Sequence, residues 1–285
     1  MKSVDIYKDI SVRTGGDIYI GVVGPVRTGK STFIQNFMDR LVIPSINDKH
    51  KQERTIDELP QSAGGRTIMT TEPKFVPNES VEITLDGNVK MKTRLVDCVG
   101  YLVDDAIGHT EDDGPRMVRT PWSESELPFI QAAEIGTHKV ISDHSTIGLV
   151  ITTDGSITDI PRESYIPAEE RVITELKEYK KPFVVLLNSK NPTSEETCKL
   201  RSSLEEKYNV PVISSNILEL KEKDITEVFS RVLEEFPVTE ISIKLPLWFN
   251  MLDTNYPLKQ DVIRIIKENF NGDYSIRKIN EIIQN

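Results

Sequence analysis

The chain has 285 residues, of which 38% are hydrophobic and 28% charged, so it is long enough and apolar enough to bury a core. Its 35 lysines and arginines against 45 aspartates and glutamates leave a net charge of −10, which argues against a broad cationic surface for nucleic acid. Cys98 and Cys198 form no CxxC pair, which argues against a disulfide framework and a thiolate zinc site. We expect no nucleic acid among its partners.

The N-terminus shows no secretory segment, because charged residues follow Met1 almost at once. The longest apolar runs, 147–151 and 183–187, are far shorter than the ~18 residues needed to cross a bilayer. We therefore expect a soluble, cytoplasmic protein.

Short apolar runs alternate with amphipathic stretches, which is typical of an α/β protein with a mainly parallel sheet. A strand at 18–23 leads through a glycine-containing turn to apolar residues at helical spacing over 33–41. Two alternating segments, 81–85 and 89–95, flank the Asp-Gly-Asn of residues 86–88 and predict an antiparallel hairpin.

Residues 101–125 interrupt this pattern, because they combine many carboxylates with glycine and proline. A long irregular segment inside a domain is usually functional or mobile, so we expect this one to move. Strands and helices then alternate again, at 146–152, from Pro167, at 183–187, from the capping box Thr193–Glu196, at 210–215 and at 224–236. Glu169 and Glu170 are assigned to the first turn of the Pro167 helix, where carboxylates suit the helix dipole.

The pattern changes again after Pro237. Residues 238–244 predict a strand, Trp248 and Phe249 are expected in a core, and the tail from Pro257 predicts helix. We place a boundary near residue 238 and interpret 238–285 as the truncated start of a second, mixed or helical domain.

The segment between the first strand and the first helix fits the pattern GxxxxGK[ST]. Its glycines let successive N–H groups face a polyphosphate, Lys30 reaches the outer phosphates, and the Ser31 hydroxyl is a ligand for Mg²⁺. The predicted nucleotide-binding residues here are Gly24, Pro25, Val26, Arg27, Thr28, Gly29, Lys30, Ser31 and Thr32.

An apolar strand ending in Asp97-Cys98-Val99-Gly100 supports the same site. A carboxylate at this place holds magnesium through water, and the glycine N–H can touch the terminal phosphate. Between the two motifs lies the hydroxyl-rich stretch 64–73, in which a threonine is predicted to bind Mg²⁺ and sense the γ-phosphate. Thr70 and Thr71 remain alternatives for this role. The predicted catalytic residues are therefore Lys30, Asp97, Thr70 and Thr71, and the predicted metal ligands are Ser31, Asp97 and Thr71.

The end of the 183–187 strand bears on the choice of base. GTPases of the translation-factor type carry Asn-Lys-x-Asp here, and the aspartate accepts two hydrogen bonds from guanine. This chain has Asn188-Ser189-Lys190-Asn191, and an amide offers only one acceptor oxygen and no charge. We therefore expect adenine, with Asn188 among the nucleotide-binding residues.

Tyr101 stands where many such GTPases carry a glutamine that orients the attacking water. Because tyrosine can hardly replace glutamine in that role, we expect slow turnover. Arg27, Arg116 and Arg119 are the candidates for a positive charge at the transition state.

These motifs and several unusual strings resemble the stage IV sporulation protein A family. The strings are GDIYIGVVGPVRTGKSTF (16–33), TIMTTEPKFVP (67–77), RLVDCVGY (94–101), GPRM (114–117), TPW (120–122) and AAEIGT (132–137). The resemblance covers residues 1 to about 250 well, and family members are considerably longer.

The resemblance implies a P-loop NTPase of the translation-factor-related (TRAFAC GTPase-like) type. Its sheet is mostly parallel with one antiparallel hairpin, its ATPase domain covers residues 1–237, and a small C-terminal appendage follows. Lys30 is then the P-loop lysine, Asp97 the Walker B carboxylate, and Thr70 and Thr71 the sensor threonines.

The resemblance also implies a function. It is slow ATP hydrolysis, with ATP and Mg²⁺ as cofactors, that drives self-assembly into the basement layer of the spore coat. The implied partners are further copies of the chain, other coat morphogenetic proteins, and the forespore membrane surface through an adapter. The implied location is the mother-cell cytoplasm.

Two other functions stay open at this point. One is a guanine-nucleotide regulatory switch, which base competition would distinguish from an ATPase. The other is a passive scaffold that binds nucleotide without turnover, which phosphate release would distinguish.

Overall fold

A computed structural model of the chain describes residues 17–60, 73–85, 89–104, 106, 110–111, 114–272 and 274–284. The chain divides into two compact units, Met1–Leu233 and Glu234–Asn285. The assignment of 238–285 to the start of a second domain stays a prediction.

The first unit is built on a six-stranded sheet. Its strands are β1 Asp17–Val23, β2 Lys74–Leu85, β3 Val89–Asp97, β4 Ile147–Thr153, β5 Phe183–Asn188 and β6 Val212–Ser215. They lie in the order β6-β5-β4-β1-β3-β2, and every neighbouring pair is parallel except the antiparallel pair β2–β3. This confirms the predicted α/β fold, with a mostly parallel sheet and one hairpin, although the hairpin turn at 86–88 lies outside the described residues.

Helices alternate with the strands as the sequence predicts, although the helices at Lys49–Asp57 and Phe129–Lys139 were not predicted. The helices that begin in this unit are α1 Lys30–Phe37, α2 Lys49–Asp57, α3 Phe129–Lys139, α4 Arg162–Glu178, α5 Glu195–Tyr208 and α6 Glu222–Glu234. Strands β4 and β5 are buried along their whole length, as expected of the centre of a parallel sheet covered on both faces. Helices α1 and α6 meet where the rings of Phe37 and Phe229 stack at 5.0 Å between centroids.

Helix α4 begins at Arg162, so the prediction that Pro167 opens this helix is wrong. Pro167 lies inside the helix, where it removes one N–H from the hydrogen-bond ladder. Burial of Val172 and Leu176 on the same helix offsets that loss. The dipole explanation for Glu169 is wrong as well, because this carboxylate is fully buried and binds Arg162.

Part of the stretch predicted to be irregular has regular structure. Two small antiparallel ladders pair Thr110–Glu111 with Gly114–Pro115 and Met117–Val118 with Leu127–Pro128. Backbone pairing therefore orders some of the segment that the sequence analysis treated as a single loop.

The second unit contains α7 Leu247–Asn250, α8 Pro257–Asn269 and α9 Ile276–Gln284, which confirms the helical tail. The strand predicted at 238–244 is wrong, because these residues pair with no neighbouring strand in the described part of the chain. Ile241 and Ile243 alternate as a strand would, yet alternation does not supply a partner. Phe249 is buried as expected, whereas Trp248 is 58% exposed.

Candidate nucleotide site

The loop between β1 and α1 takes a path that its glycines permit. Gly24 has φ 140° and Gly29 has φ 98°, both in the region that side chains disfavour. A Cβ on Gly24 would lie 2.2 Å from the carbonyl oxygen of Ile151, and one on Gly29 would lie 2.7 Å from Nδ2 of Asn188. These contacts explain why both positions need glycine for the loop to pack against β4 and β5.

The loop is also held by hydrogen bonds from its neighbours. The Asn188 amide donates to the carbonyl of Thr28 at 3.0 Å, and the N–H of Val26 donates to the carbonyl of Tyr101 at 2.9 Å. Inside the loop, the Thr28 hydroxyl donates to the carbonyl of Pro25 at 3.0 Å. The loop shape is therefore fixed by the protein itself, which favours a preformed binding site.

The Lys30 ammonium is buried at the start of α1. It donates to the carbonyl oxygen of Pro25 at 2.6 Å and of Gly24 at 3.3 Å. Burial lowers the pKa of Lys30, and the nearby acidic groups Cys98 and Asp97 oppose this shift. A cation held against the loop in this way can exchange two backbone acceptors for phosphate oxygens.

Ser31 and Asp97 come together although they are far apart in the sequence. The Ser31 hydroxyl donates to Oδ2 of Asp97 at 3.2 Å, while Oδ1 is buried without a hydrogen-bond partner among the described residues. Burial raises the pKa of Asp97 to about 6, and the Lys30 charge and the Ser31 hydrogen bond act in the opposite direction. An unpartnered buried carboxylate oxygen beside a hydroxyl fits a hard cation such as Mg²⁺.

Gly100, with φ 92°, lies against the loop between β1 and α1. A Cβ there would come within 2.2 Å of the carbonyl oxygen of Gly24 and 2.6 Å of the Lys30 ammonium, so only glycine fits. Its N–H, assigned in the sequence analysis to the terminal phosphate, donates to the hydroxyl of Thr137 at 3.2 Å. Thr137 is a residue that the motif analysis missed, since nothing in its local sequence marks it as a partner of this glycine.

Tyr101 is bound on both its backbone and its side chain. Its hydroxyl donates to Oε1 of Glu175 at 2.6 Å, and the Arg171 guanidinium lies 4.1 Å from its ring centroid. Burial, together with the hydrogen bond and negative charge of Glu175, raises the pKa of Tyr101. The side chain is therefore engaged by α4, which agrees with the expectation that it does not orient water.

The loop after β5 is positioned by residues that the sequence analysis did not consider. The Asp154 carboxylate accepts from the Ser156 hydroxyl at 2.6 Å, and that hydroxyl oxygen accepts from the N–H of Lys190 at 3.0 Å. Lys190 and Asn191 are exposed. The position of Asp154 in the sequence could have indicated its role. It follows β4 at the carboxyl edge of the parallel sheet, where ligands bind in folds of this kind.

Thr70 and Thr71 lie outside the described residues, so their predicted roles stay predictions. Thr32 is half-buried on α1. Among the residues that the structure describes, no cluster of histidine, cysteine or carboxylate residues has the arrangement of a metal site. Within the same part of the chain, no helix is long and apolar enough to span a membrane.

A parallel sheet with a glycine-bounded loop at its carboxyl edge defines a P-loop-like α/β domain. The family described as "Stage IV sporulation protein A, ATPase domain" matches residues 1–237. The chain belongs to this family of sporulation proteins with an ATPase domain, which implies that it binds nucleotide.

Curated relatives support the same assignment. A stage IV sporulation protein A of Clostridioides difficile (strain 630) is 58% identical over 98% of this chain and 57% of its own length. Those of Bacillus anthracis and Bacillus subtilis (strain 168) are 52% and 50% identical, each over 99% of this chain and 58% of its own length. The chain thus spans little more than half the length of these relatives.

Solved structures are more distant. Two crystal structures of variants of a protein named SsGBP have TM-scores of 0.42 and 0.43 and identities of 13% and 12%. They cover 80% and 82% of this chain, and 61% and 64% of their own chains.

Proposed function

We propose that this protein hydrolyses ATP with the help of Mg²⁺ and uses the hydrolysis to control its own assembly. The observation that carries the proposal is the pairing of Ser31 with Asp97 beside the buried Lys30. An unpartnered, buried carboxylate oxygen costs free energy unless a ligand or water binds it, and Mg²⁺ prefers oxygen ligands. The family assignment supports the ATPase part of the proposal.

In this proposal the protein groups of the site have different roles. Ser31 and Asp97 hold Mg²⁺, with Thr71 as a further candidate, and the ion neutralises phosphate charge when it is bound. Lys30 gives up its contacts with the loop carbonyls and binds phosphate oxygens. The N–H groups of the loop between Gly24 and Gly29 bind the same phosphates.

Asn191 supports the choice of ATP over GTP. It replaces the aspartate that accepts two hydrogen bonds from guanine in translation-factor GTPases, and a neutral amide offers one uncharged acceptor oxygen in place of two charged ones. Hydrogen bonds among Asp154, Ser156 and Lys190 hold the loop that carries Asn191. The base specificity of the site therefore depends on this residue and on the rigidity of its loop.

Thr70 and Thr71 complete the site in this proposal as sensors of the γ-phosphate. We expect the double variant Thr70→Ala/Thr71→Ala to bind ATP and to hydrolyse it poorly. In a full-length relative the same double variant should fail to assemble, which light scattering or sedimentation would detect. Normal polymer without phosphate release would separate assembly from hydrolysis.

The proposed setting follows the family resemblance. The chain assembles with further copies of itself in the mother-cell cytoplasm and contributes to the basement layer of the spore coat on the forespore. Other coat morphogenetic proteins and an adapter on the forespore membrane are its proposed partners. Because this chain spans 57–58% of its relatives' length, assembly is proposed for the whole protein.

The direct test is phosphate release from ATP and from GTP, measured in parallel with Mg²⁺ and with a chelator. The proposal predicts slow, Mg²⁺-dependent release that is faster from ATP. Release from GTP alone would instead favour a regulatory GTPase, and nucleotide binding without release would favour a passive scaffold.

The variant Asn191→Asp adds a direct test of base choice. The new carboxylate should improve the relative affinity for GTP by about tenfold, since one charged hydrogen bond is worth about 1.5 kcal/mol or more. The neighbouring exposed Lys190→Ala is the control, and it should leave the ratio of the two affinities nearly unchanged. Equal ratios in all three proteins would contradict the role given to Asn191.

A further inference from the structure

Arg27 has a backbone conformation that its type does not favour. Its φ is 61°, in the left-handed region where a Cβ is crowded by the backbone. The other non-glycine residues with positive φ in the described part of the chain are Lys180 and Asn209. Both follow the ends of helices, α4 and α5, where this conformation is common. Arg27 instead lies in the middle of the loop between β1 and α1, where a left-handed residue helps to turn successive N–H groups toward an anion, so the strain is kept at a place that serves phosphate binding.

The described residues also supply no acceptor for the charge of the Arg27 side chain. Its neighbours Val26 and Thr28 are buried, whereas Arg27 is half-buried. The guanidinium makes no hydrogen bond or ion pair with the described residues. Burial raises the pKa of Tyr165, whereas its hydrogen bond with Thr158 and the Arg27 charge act in the opposite direction. Strain that persists at a functional loop is a reason to look for a role in function.

The other side chains that the sequence analysis considered near the reacting phosphate, Tyr101, Arg116 and Arg119, interact with other protein groups. The Tyr101 hydroxyl is bound to Glu175. Arg119 pairs with Glu126 at 3.2 Å, and Arg116 packs over the ring of Phe129 at 5.1 Å from its centroid. Arg27 differs from both arginines because it belongs to the loop that wraps the phosphates.

We propose that Arg27 is a catalytic residue, whose guanidinium neutralises charge that develops on the phosphates during ATP hydrolysis. This inference rests on the proposed ATPase function. In that reaction the water oxygen forms a bond to the γ-phosphorus, and the bond from this phosphorus to the bridging oxygen breaks. The electron pair stays with ADP, and a water proton passes to the released phosphate or to solvent. Negative charge therefore grows on the bridging oxygen, where a positive charge held by the loop stabilises the transition state.

The test is the variant Arg27→Gly, because glycine adopts φ 61° without strain. The matched control is Lys180→Gly, which also removes a positive charge and a positive-φ side chain, away from the phosphate loop. Both variants should keep or gain thermal stability. Only Arg27→Gly should lose phosphate release, by about a hundredfold or more, the effect of removing a transition-state charge.

A second readout does not depend on turnover. We measure the affinities of each protein for ADP with Mg²⁺ and for ADP with Mg²⁺ and aluminium fluoride, which mimics the transferring phosphoryl group. Arg27→Gly should bind ADP within about threefold of the unmodified chain and lose at least about thirtyfold for the fluoride complex. Equal losses for both ligands would overturn the proposal, because Arg27 would then only bind nucleotide. Unchanged affinity for the fluoride complex would overturn it as well.

The two proposals can fail separately. If the unmodified chain binds ADP but releases no phosphate from ATP, the ATPase function fails, and the ratio of the two affinities then reports only whether Arg27 contacts the group that mimics the γ-phosphoryl. If the unmodified chain releases phosphate and Arg27→Gly does so at the same rate, only the role of Arg27 is overturned.

Discussion

At the scale of single residues, Asp97 combines two properties that oppose each other. Its carboxyl is almost fully buried, and one of its oxygens has no partner among the described residues. Burial raises its pKa to about 6, so the ionised form that a metal ion needs is disfavoured without ligand. The folded chain therefore loses stability at the residue that the proposed function requires.

This conflict predicts a pH dependence of stability. The folded pKa of about 6 lies above the reference value of 3.8, so the folded state binds the proton more tightly than the unfolded state. Stability from this group is full at low pH and is lost as the pH rises from about 4 to about 6, by about 3 kcal/mol. The isosteric variant Asp97→Asn should not show this loss, and should be the more stable protein at pH 7.

Urea unfolding of the nucleotide-free chain at several pH values checks this prediction. The control is Asp39→Asn, an exposed aspartate that should follow the unmodified chain at every pH. If Asp97→Asn and the unmodified chain lose stability in parallel between pH 4 and 6, the carboxyl does not have the raised pKa.

Lys30 gives a second prediction at this scale. The variant Lys30→Ala should keep the fold but lose at least about a hundredfold in ATP affinity, because the phosphates lose a charge-assisted contact worth about 3 kcal/mol. Calorimetry with Mg²⁺ measures this change, and the exposed Lys49→Ala serves as the control. Affinity that stays at the level of the control would contradict the role of Lys30.

At the scale of secondary-structure elements, a buried polar cluster joins β4, α4 and α5. Both oxygens of the Glu169 carboxylate bind Arg162, at 2.7 and 2.8 Å, and they also accept from Thr152 and from Tyr208. Its neighbour Glu170 pairs with Lys207 on the surface at 2.6 Å. Two adjacent glutamates of one helix therefore lie in very different environments.

Because their environments differ, we predict that substituting each glutamate by alanine lowers the free energy of unfolding by a different amount. Glu169→Ala leaves the largely buried Arg162 without its carboxylate and should destabilise the chain by about 3–5 kcal/mol. Glu170→Ala removes an exposed pair and should cost about 1 kcal/mol or less. Urea midpoints of the two variants check this directly, and similar midpoints would show that the cluster does not stabilise the fold.

The same pair of glutamates shows where sequence reasoning succeeds and where it stops. The strands β1, β4 and β5 could be predicted, because buried parallel strands are continuous apolar runs. The loop from Gly24 to Ser31 could also be predicted, because its backbone path requires glycine at fixed positions. The burial of Glu169 could not be predicted, because a carboxylate at a helix start and a carboxylate buried against arginine can have the same local sequence. The partner of Gly100, Thr137, comes from a distant helix, and no local pattern reports such a contact.

At the scale of the whole molecule, every residue assigned to the candidate site belongs to the unit Met1–Leu233. The unit Glu234–Asn285 exposes large apolar side chains, among them Leu247 at 83% and Met251 at 88%. The helices of this unit from Pro257 onward could be predicted from the sequence. The strand predicted at 238–244 was wrong, because an alternating pattern does not show whether another strand is near enough to pair with.

Because all the candidate site residues belong to the first unit, we predict that nucleotide binding does not need the second unit. A chain that ends after residue 237 should bind ATP within about twofold of the 285-residue chain, a difference below about 0.5 kcal/mol. Calorimetry on the two proteins at the same Mg²⁺ concentration makes the comparison, and circular dichroism checks that the shorter chain is folded. A folded shorter chain with tenfold weaker binding would place part of the site beyond residue 237.

The double attachment of Tyr101 has a mechanical consequence. Gly100 lies against the loop between β1 and α1, and the next residue is held by Val26 through its backbone and by Glu175 and Arg171 through its side chain. A movement that begins at this loop therefore meets a residue anchored to α4 before it reaches the ladders between Thr110 and Pro128. We expect the strength of these contacts, rather than the length of the segment, to set how far such a movement passes along the chain.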